Sequence, residues 1–431
     1  MKRSIYNSII PIGNKHTILY NSFSGNFVIV KNRLVGFEDL SIENLGDLSP
    51  RFYKQLIDAG ILIKNNTDEI ALLKQRIENA DNNVKEYILH INPTLDCNFN
   101  CWYCYENHIA HSKMSDEVLF STLQYITSVI ENNQILEHFE LGFFGGEPLF
   151  YFKDIAKKLI LHTWSLCEQS GKKLHIHFTS NGALLNDEII TFLSQFSCGF
   201  QITLDGGKLF HDKTRFSKNN KGSFDIIVNN IHRLITAHIN VIVRVNYTSE
   251  NVDSLDSIYE NFKSLKNKQF IQFDFQRVWQ DKCNEMDETE EKIKLYRTKF
   301  RKEGFTVLAN YIPHDVRNSC YGDKINHVLI NYNGDVYGCT ARDFTRDNRV
   351  GYLDSHGYIH YNTEILNIRN KSKMFKPVCR VCRIAPICGG GCKQRALESI
   401  NDESCTLNYS EEDIDNIIKN IFEYSFKLNT L

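Results

Sequence analysis

The stretch EYILHINPTLDCNFNCWYCYE, Glu86 to Glu106, decides how this chain is read. Its first half is apolar and strand-like. Its second half is a loop with three cysteines, Cys97, Cys101 and Cys104, spaced C-x3-C-x2-C. A structural zinc site takes four ligands, and a disulfide takes two. Three thiolates on one short loop suit three corners of a [4Fe–4S] cube, with the fourth iron left open for a chelating small molecule. Taken alone, the spacing also allows a zinc knuckle that borrows a distant fourth ligand.

Working outward, the chain alternates from Val84 to about Val278. Strand-like HFELGFFG, LHIHFTSNG, GFQITLDG, NVIVRVNYT and QFIQFDFQRV are separated by helical patterns. The first of these helices carries Leu119, Leu123, Ile126 and Ile130 on one face, with Ser115 as N-cap. Short apolar strands joined by such helices predict parallel pairing through right-handed crossovers. Six units are too few for a closed eight-stranded barrel, so the fold class is α/β, an open partial (β/α)6 barrel. Its working groups belong at the carboxyl ends of the strands.

The whole chain has 431 residues, 13 cysteines and a formal charge of −2. That balance gives no electrostatic argument for nucleic acid or an anionic membrane as partner, and neither is expected. No apolar run is long enough to span a bilayer, and the start makes a poor signal peptide, which together predict a cytoplasmic protein. In that compartment clustered cysteines read as metal ligands rather than disulfides. Cys167 and Cys198 stand apart and read as core.

The strand ends carry a second set of signals. Gly145, Gly146, Glu147 and Pro148 end the second strand; the glycines would let a ligand approach the backbone, and Glu147 can accept from an amine. The third strand ends in TSNG, with Ser180 and Asn181, and the fourth in TLDG, with Thr203 and Asp205. Arg215 follows in HDKTR and suits a carboxylate. Together with the cysteine loop, these motifs resemble the radical S-adenosylmethionine (SAM) enzymes over roughly residues 86–280. The resemblance implies that the amine and carboxylate of SAM chelate the open iron. Tyr103 would then lie against the adenine, Glu147 take the amine, Ser180 and Thr203 contact ribose or methionyl groups, and Arg215 take the carboxylate. An electron from the cluster would cleave the sulfonium and yield a hydrogen-abstracting 5′-deoxyadenosyl radical.

Farther on come Cys320, Cys339, Cys379, Cys382, Cys388, Cys392 and Cys405. Their spacing is similar to the seven-cysteine SPASM domain, which holds two auxiliary [4Fe–4S] clusters in a subset of these enzymes. The resemblance implies one cluster on Cys379, Cys382, Cys388 and Cys405, and another on Cys320, Cys339 and Cys392. His314 and Cys283 are candidates for the open ligand of the second, as are substrate or none.

The expected domains are 1–85, strands then helices, similar in size and order to winged-helix leader-recognition domains; 86–305, the barrel; 306–409, the SPASM segment; and 410–431, an amphipathic helix. The family resemblance then implies a maturase of ribosomally made peptides. It would bind a precursor with a leader, draw electrons from a flavodoxin- or ferredoxin-type protein, and install a C–C, C–O or thioether crosslink. The alternatives are an anaerobic sulfatase maturase and a non-enzymatic iron–sulfur electron carrier. Against the sulfatase reading, Thr340 stands directly after Cys339, where those enzymes place an Asp; the nearest carboxylate is Asp343. His177, Gln201, Arg244 and Asp274 are candidate bases or substrate contacts that alternation alone does not rank.

Overall fold

The computed structural model describes residues 1–31, 49–217, 221–281, 286–308, 320–373, 376–399 and 403–428. His314 and Cys283 lie outside the described residues. The chain divides into two compact units: Met1–Asn83 with Asn310–Ile325 and Thr363–Leu431, and Val84–Ala309 with Asn326–Asn362. This division is not collinear with the expected domains. Residues 326–362, expected in the SPASM segment, belong to the barrel unit, and the C-terminal helix belongs with the N-terminal strands.

In the first unit, β1 (Lys2–Arg3) pairs with β5 (Leu62–Ile63), and β2 (Asn7–Ile12), β3 (His16–Asn21) and β4 (Asn26–Lys31) form an antiparallel meander. Gly25 makes the β3–β4 turn at φ +77°, a conformation open to glycine at little cost. The helix Glu69–Asp81 is N-capped by Asp68, whose side chain accepts from the Ala71 N–H at 3.0 Å. The helix Glu411–Leu428 begins with a reciprocal cap between Ser410 and Asp413. Its apolar stripe, Ile414, Ile417 and Ile418, shares a core with Ile10, Ile18 and Tyr20 of the meander and with Ile384, Ile387 and Cys388. A buried ion quartet braces this unit. Lys373 Nζ reaches Asp323 at 2.9 Å and Asp81 at 3.4 Å, and Lys393 Nζ reaches Asp81 at 3.3 Å.

The second unit is built on a sheet in which β6 (Glu86–Ile91), β7 (His138–Phe143), β8 (Lys173–Ser180), β9 (Cys198–Leu204), β10 (Asn240–Tyr247) and β11 (Ile271–Arg277) pair in parallel, in chain order. Sequential parallel neighbours are the signature of the partial barrel. Short β12 (Thr306–Val307) adds to β11. On the other edge, β13 (His327–Ile330) pairs in parallel with β6 and leads into the antiparallel β14 (Asp335–Tyr337), β15 (Arg349–Leu353) and β16 (Ile359–Tyr361). Asn333-Gly334 and His356-Gly357 turn two hairpins, with both glycines at positive φ, and these hairpins extend the barrel sheet.

Register gives each face its character, since side chains alternate. Phe143, Phe178 and Phe200 are direct cross-strand neighbours, fully buried and stacked at 4.7 and 5.0 Å. Phe152, from outside the sheet, packs onto Phe178, and Phe192 packs in turn onto Phe152. Burying each such ring contributes roughly 1.5–3 kcal/mol. The opposite face of the same strands carries His177, Gln201, Thr203, Arg244 and Asp274, with Thr203 paired to Arg244 and Arg244 to Asp274. The four residues that alternation did not rank therefore share one polar face, turned away from the phenylalanine layer.

Candidate active site

The cysteine loop leaves β6 and is shaped by its own polar groups. Asp96 accepts the N–H groups of Cys97 and His111, each at 2.8 Å. Its carbonyl accepts the Glu147 N–H, also at 2.8 Å. This last bond sews the cysteine loop to the GGEP turn and explains the glycines. A Cβ on Gly146 would lie 2.1 Å from the Asp96 carbonyl oxygen, and one on Gly145 2.6 Å from that of Thr94. Ligand approach was the sequence-based reason for these glycines; in the structure the object that needs the space is the cysteine loop itself.

Glu147 also has partners within the chain. It is fully buried. Oε1 accepts from the Leu149 N–H at 3.0 Å and from Ser180 Oγ at 2.8 Å, and Oε2 accepts from the Asn181 N–H at 2.8 Å. Burial pushes its carboxyl up, and these bonds pull it back. These three bonds take up most of the carboxylate's acceptor capacity and leave Oε2 with one donor. It caps the short turn Pro148–Tyr151 and ties the end of β7 to the end of β8. Asn181 continues the link, donating to Asn98 Oδ1 at 2.7 Å and lying 3.8 Å from Cys97 Sγ. Ser180, whose hydroxyl is committed to Glu147, accepts from the Gly182 N–H at 3.0 Å.

Tyr103, Asp205 and Arg215 are brought together as a chain. Tyr103 Oη donates to Asp205 Oδ2 at 2.6 Å and accepts from Arg215 Nη1 at 2.8 Å. Arg215 stands 4.0 Å from Asp205, and its Nε is buried without a partner. Burial pushes the Asp205 carboxyl up, against the pull of Arg215. Thr203 lies on the polar face of β9, level with Arg244.

The donor set fits an iron–sulfur cluster. Cys97, Cys101 and Cys104 are free thiols. Burial pushes Cys97 up to about 12 and Cys104 up to about 11, and Cys101 is raised for the same reason. Thiolates there need a cation, and cluster irons supply the charge. In the first unit, Cys379, Cys382, Cys388 and Cys405 line one cavity of about 350 Å³, together with Ile384, Leu407 and Tyr409. Burial and then the neighbouring thiols push Cys379 up to about 11. Gly389, Gly390 and Gly391 all take positive φ, and the last two aim N–H groups at Cys388. Cys320 and Cys392 lie in the first unit and Cys339 in the second.

Glu106 had no sequence signal beyond its place after Cys104. Its carboxylate accepts the Gly146 N–H, and burial, followed by the nearby Asp343, pushes it up to about 8. Asn98 was likewise missed, because its partner Asn181 lies far along the chain.

Residues 91–262 match the Radical SAM superfamily model. Over 363 residues the chain is 23% identical to the cysteine-type anaerobic sulfatase-maturating enzyme of Clostridium novyi, covering 78% of this chain and 92% of that one. Native anSMEcpe with bound AdoMet is similar in fold, with a TM-score of 0.58 at 20% identity over 79% of this chain and 97% of that one. Streptococcus suis SuiB bound to precursor peptide SuiA gives a TM-score of 0.51 at 14% identity, over 94% of this chain and 98% of the other.

Proposed function

We propose, from the premise that this chain is a radical SAM enzyme whose domain spans residues 91–262, that it matures a ribosomally made precursor peptide by crosslinking it. SAM bound at a [4Fe–4S] cluster would supply a 5′-deoxyadenosyl radical able to abstract a substrate hydrogen. The chain's own residues do the rest. Cys97, Cys101 and Cys104 would hold the cluster. Glu147, by gathering Ser180 and Asn181 beneath the loop, fixes the two strand ends that border it. Tyr103, Asp205 and Arg215 hold one another in place and would present a guanidinium to the carboxylate of SAM. The polar face with His177, Gln201, Arg244 and Asp274 would receive the peptide. The four-cysteine cavity would take one auxiliary cluster; for Cys320, Cys339 and Cys392 the spacing is the support.

The observation that carries the peptide reading is that the likeness to SuiB extends over 94% of the chain, and so into the N-terminal strands and helices. Among the described residues, β2 is an edge of the meander, and a leader can add to such an edge as a further strand. A second reading, a sulfatase-type protein maturase, is favoured by the C. novyi relative. The test is anaerobic incubation of the reconstituted protein with reductant, SAM and either a candidate precursor or a sulfatase-derived peptide. Formation of 5′-deoxyadenosine with loss of two hydrogens and a protease-resistant link supports crosslinking. Conversion of one cysteine or serine to an aldehyde would replace it with the second reading. No 5′-deoxyadenosine from a fully iron-loaded sample refutes both.

A further inference from the structure

We infer that His90 and His327 form a proton relay, which carries the proton released during substrate oxidation from the polar face of the barrel toward the start of β13. The relay rests on the radical peptide chemistry proposed above. It serves the crosslinking and the sulfatase-type reaction alike, since each removes two hydrogens from the substrate. His90 is buried at the penultimate position of β6, and Gly142 of β7 and His177 of β8 follow it in register. It therefore lies on the face that carries His177, Gln201, Arg244 and Asp274. Its two ring edges point toward the two neighbouring strands. A Cβ on Gly142 would lie 2.6 Å from Cδ2 and 2.8 Å from Nε2 of His90, so this edge of the ring sits over the glycine. Nδ1, on the other edge, meets Nε2 of His327 at 3.2 Å. His327 is half-buried and begins β13, on the opposite side of β6 from β7.

A glycine inside a strand often marks the close approach of another group, and here that group is an imidazole. Burial lowers His90 to about 3, so the ring is neutral, with one N–H and one lone pair. With the proton on Nδ1 and donated to His327, Nε2 is the acceptor on the polar face. The rows around the pair also hold Glu140, His175 and His177. Abstraction of one hydrogen atom leaves a substrate radical and 5′-deoxyadenosine. Closing a bond from that radical, or forming the aldehyde, breaks a second substrate bond to hydrogen and expels one electron and one proton. The electron passes to an oxidised iron–sulfur cluster. The proton enters at His90 Nε2 as the Nδ1 proton moves to His327 Nε2, and His327 gives up a proton to water. The rings regain their first tautomers by exchange with water between turnovers.

The test follows two products in one sample, the modified peptide and 5′-deoxyadenosine. Wild type, His327→Ala, His90→Gln and Gly142→Ala are reconstituted anaerobically and assayed for iron. Each receives reductant, SAM and whichever peptide, precursor or sulfatase-derived, the wild type modifies. A positioned acid–base group contributes about 10²- to 10⁴-fold in rate. In His327→Ala the modified peptide should fall about 100-fold relative to 5′-deoxyadenosine, because abstraction continues while the second step stalls. Added imidazole should restore the ratio by filling the half-buried space. His90→Gln should uncouple the two products in the same way, and so should Gly142→Ala, whose Cβ displaces the ring edge. A wild-type ratio in both His327→Ala and His90→Gln overturns the inference. So does a parallel loss of both products that imidazole does not restore, which is what a purely structural pair would give. Should His327→Ala hold less iron than wild type, the ratio in Gly142→Ala decides. A wild-type protein that forms no 5′-deoxyadenosine, or modifies neither peptide, refutes the proposed function instead.

Discussion

Replacing Gly146 with alanine tests the joint between the cysteine loop and the GGEP turn. The backbone at Gly146 is not in the left-handed region, so the substitution acts through space alone. The new Cβ would stand 2.1 Å from the Asp96 carbonyl oxygen, about 0.9 Å short of the 3.0 Å below which such contacts do not occur. The obstruction is backbone, so no rotamer relieves it and the loop must move by about that distance. The neighbouring Glu147 N–H to Asp96 carbonyl bond, 2.8 Å long, then passes out of hydrogen-bonding range. Overpacking costs about 1–3 kcal/mol and the lost bond about 1 more, which a barrel with this core survives. The chemistry is less tolerant, because a 1 Å misplacement can cost about 10²-fold in rate. The expected outcome is a folded protein with wild-type circular dichroism and 5′-deoxyadenosine production reduced about 100-fold. Gly199→Ala is the control: its Cβ would meet nothing nearer than 3.7 Å, and activity should stay within about twofold of wild type. If Gly146→Ala with full iron content produces 5′-deoxyadenosine within about threefold of wild type, the close approach does not position the loop.

Other perturbations follow from the same geometry. Glu147→Gln puts a donor where Ser180 Oγ and the Asn181 N–H already donate; SAM affinity should fall about tenfold with iron content retained, and unchanged affinity would show that the strand-end tie is dispensable. Burial lowers His90 to about 3 and His177 to about 4. Their contribution to stability is complete above the unfolded value of about 6.5 and is lost as pH falls toward those folded values. His90→Gln should therefore flatten the fall in unfolding free energy between pH 7 and pH 5 by about 2 kcal/mol; identical slopes in denaturant titrations would refute the neutral buried imidazole. Asp323→Ala removes the nearer partner of buried Lys373 and should cost about 3–5 kcal/mol by thermal or denaturant unfolding. Adding Lys373→Met should recover much of that cost, and no recovery would mean the quartet is not energetically coupled.

What the sequence made legible was local. The three-cysteine loop, the succession of strands and helices, and the two glycine-turned hairpins are each written within a few dozen residues. Period-two alternation predicted strands but not their partners, so the pairing of β13 with β6, more than 200 residues apart, could not be read. The same limit hid the role of Glu147. Its acceptors' donors lie 33 and 34 residues away, and nothing in a GGEP string separates a carboxylate facing a ligand from one that pins two strands. Glycine was read correctly as marking close approach, but the approaching partner was another backbone. Asp343 was noticed only for standing in the wrong place relative to Cys339; that it lies near Glu106, far earlier in the chain, could not be read from spacing.

The four-cysteine cavity shares its apolar wall with the first strands of the chain and the last helix. That arrangement sets an order of events during synthesis. The ribosome releases the meander early, yet Ile10, Ile18 and Tyr20 have no complete surface to pack on until Ile414, Ile417 and Ile418 emerge. Any cluster held by the cysteines between them would therefore be loaded only after the chain is nearly finished. Disturbing this shared wall, by losing such a cluster or by a substitution, would loosen the N-terminal meander, about 370 residues upstream of Cys388, as readily as the cysteine loop itself.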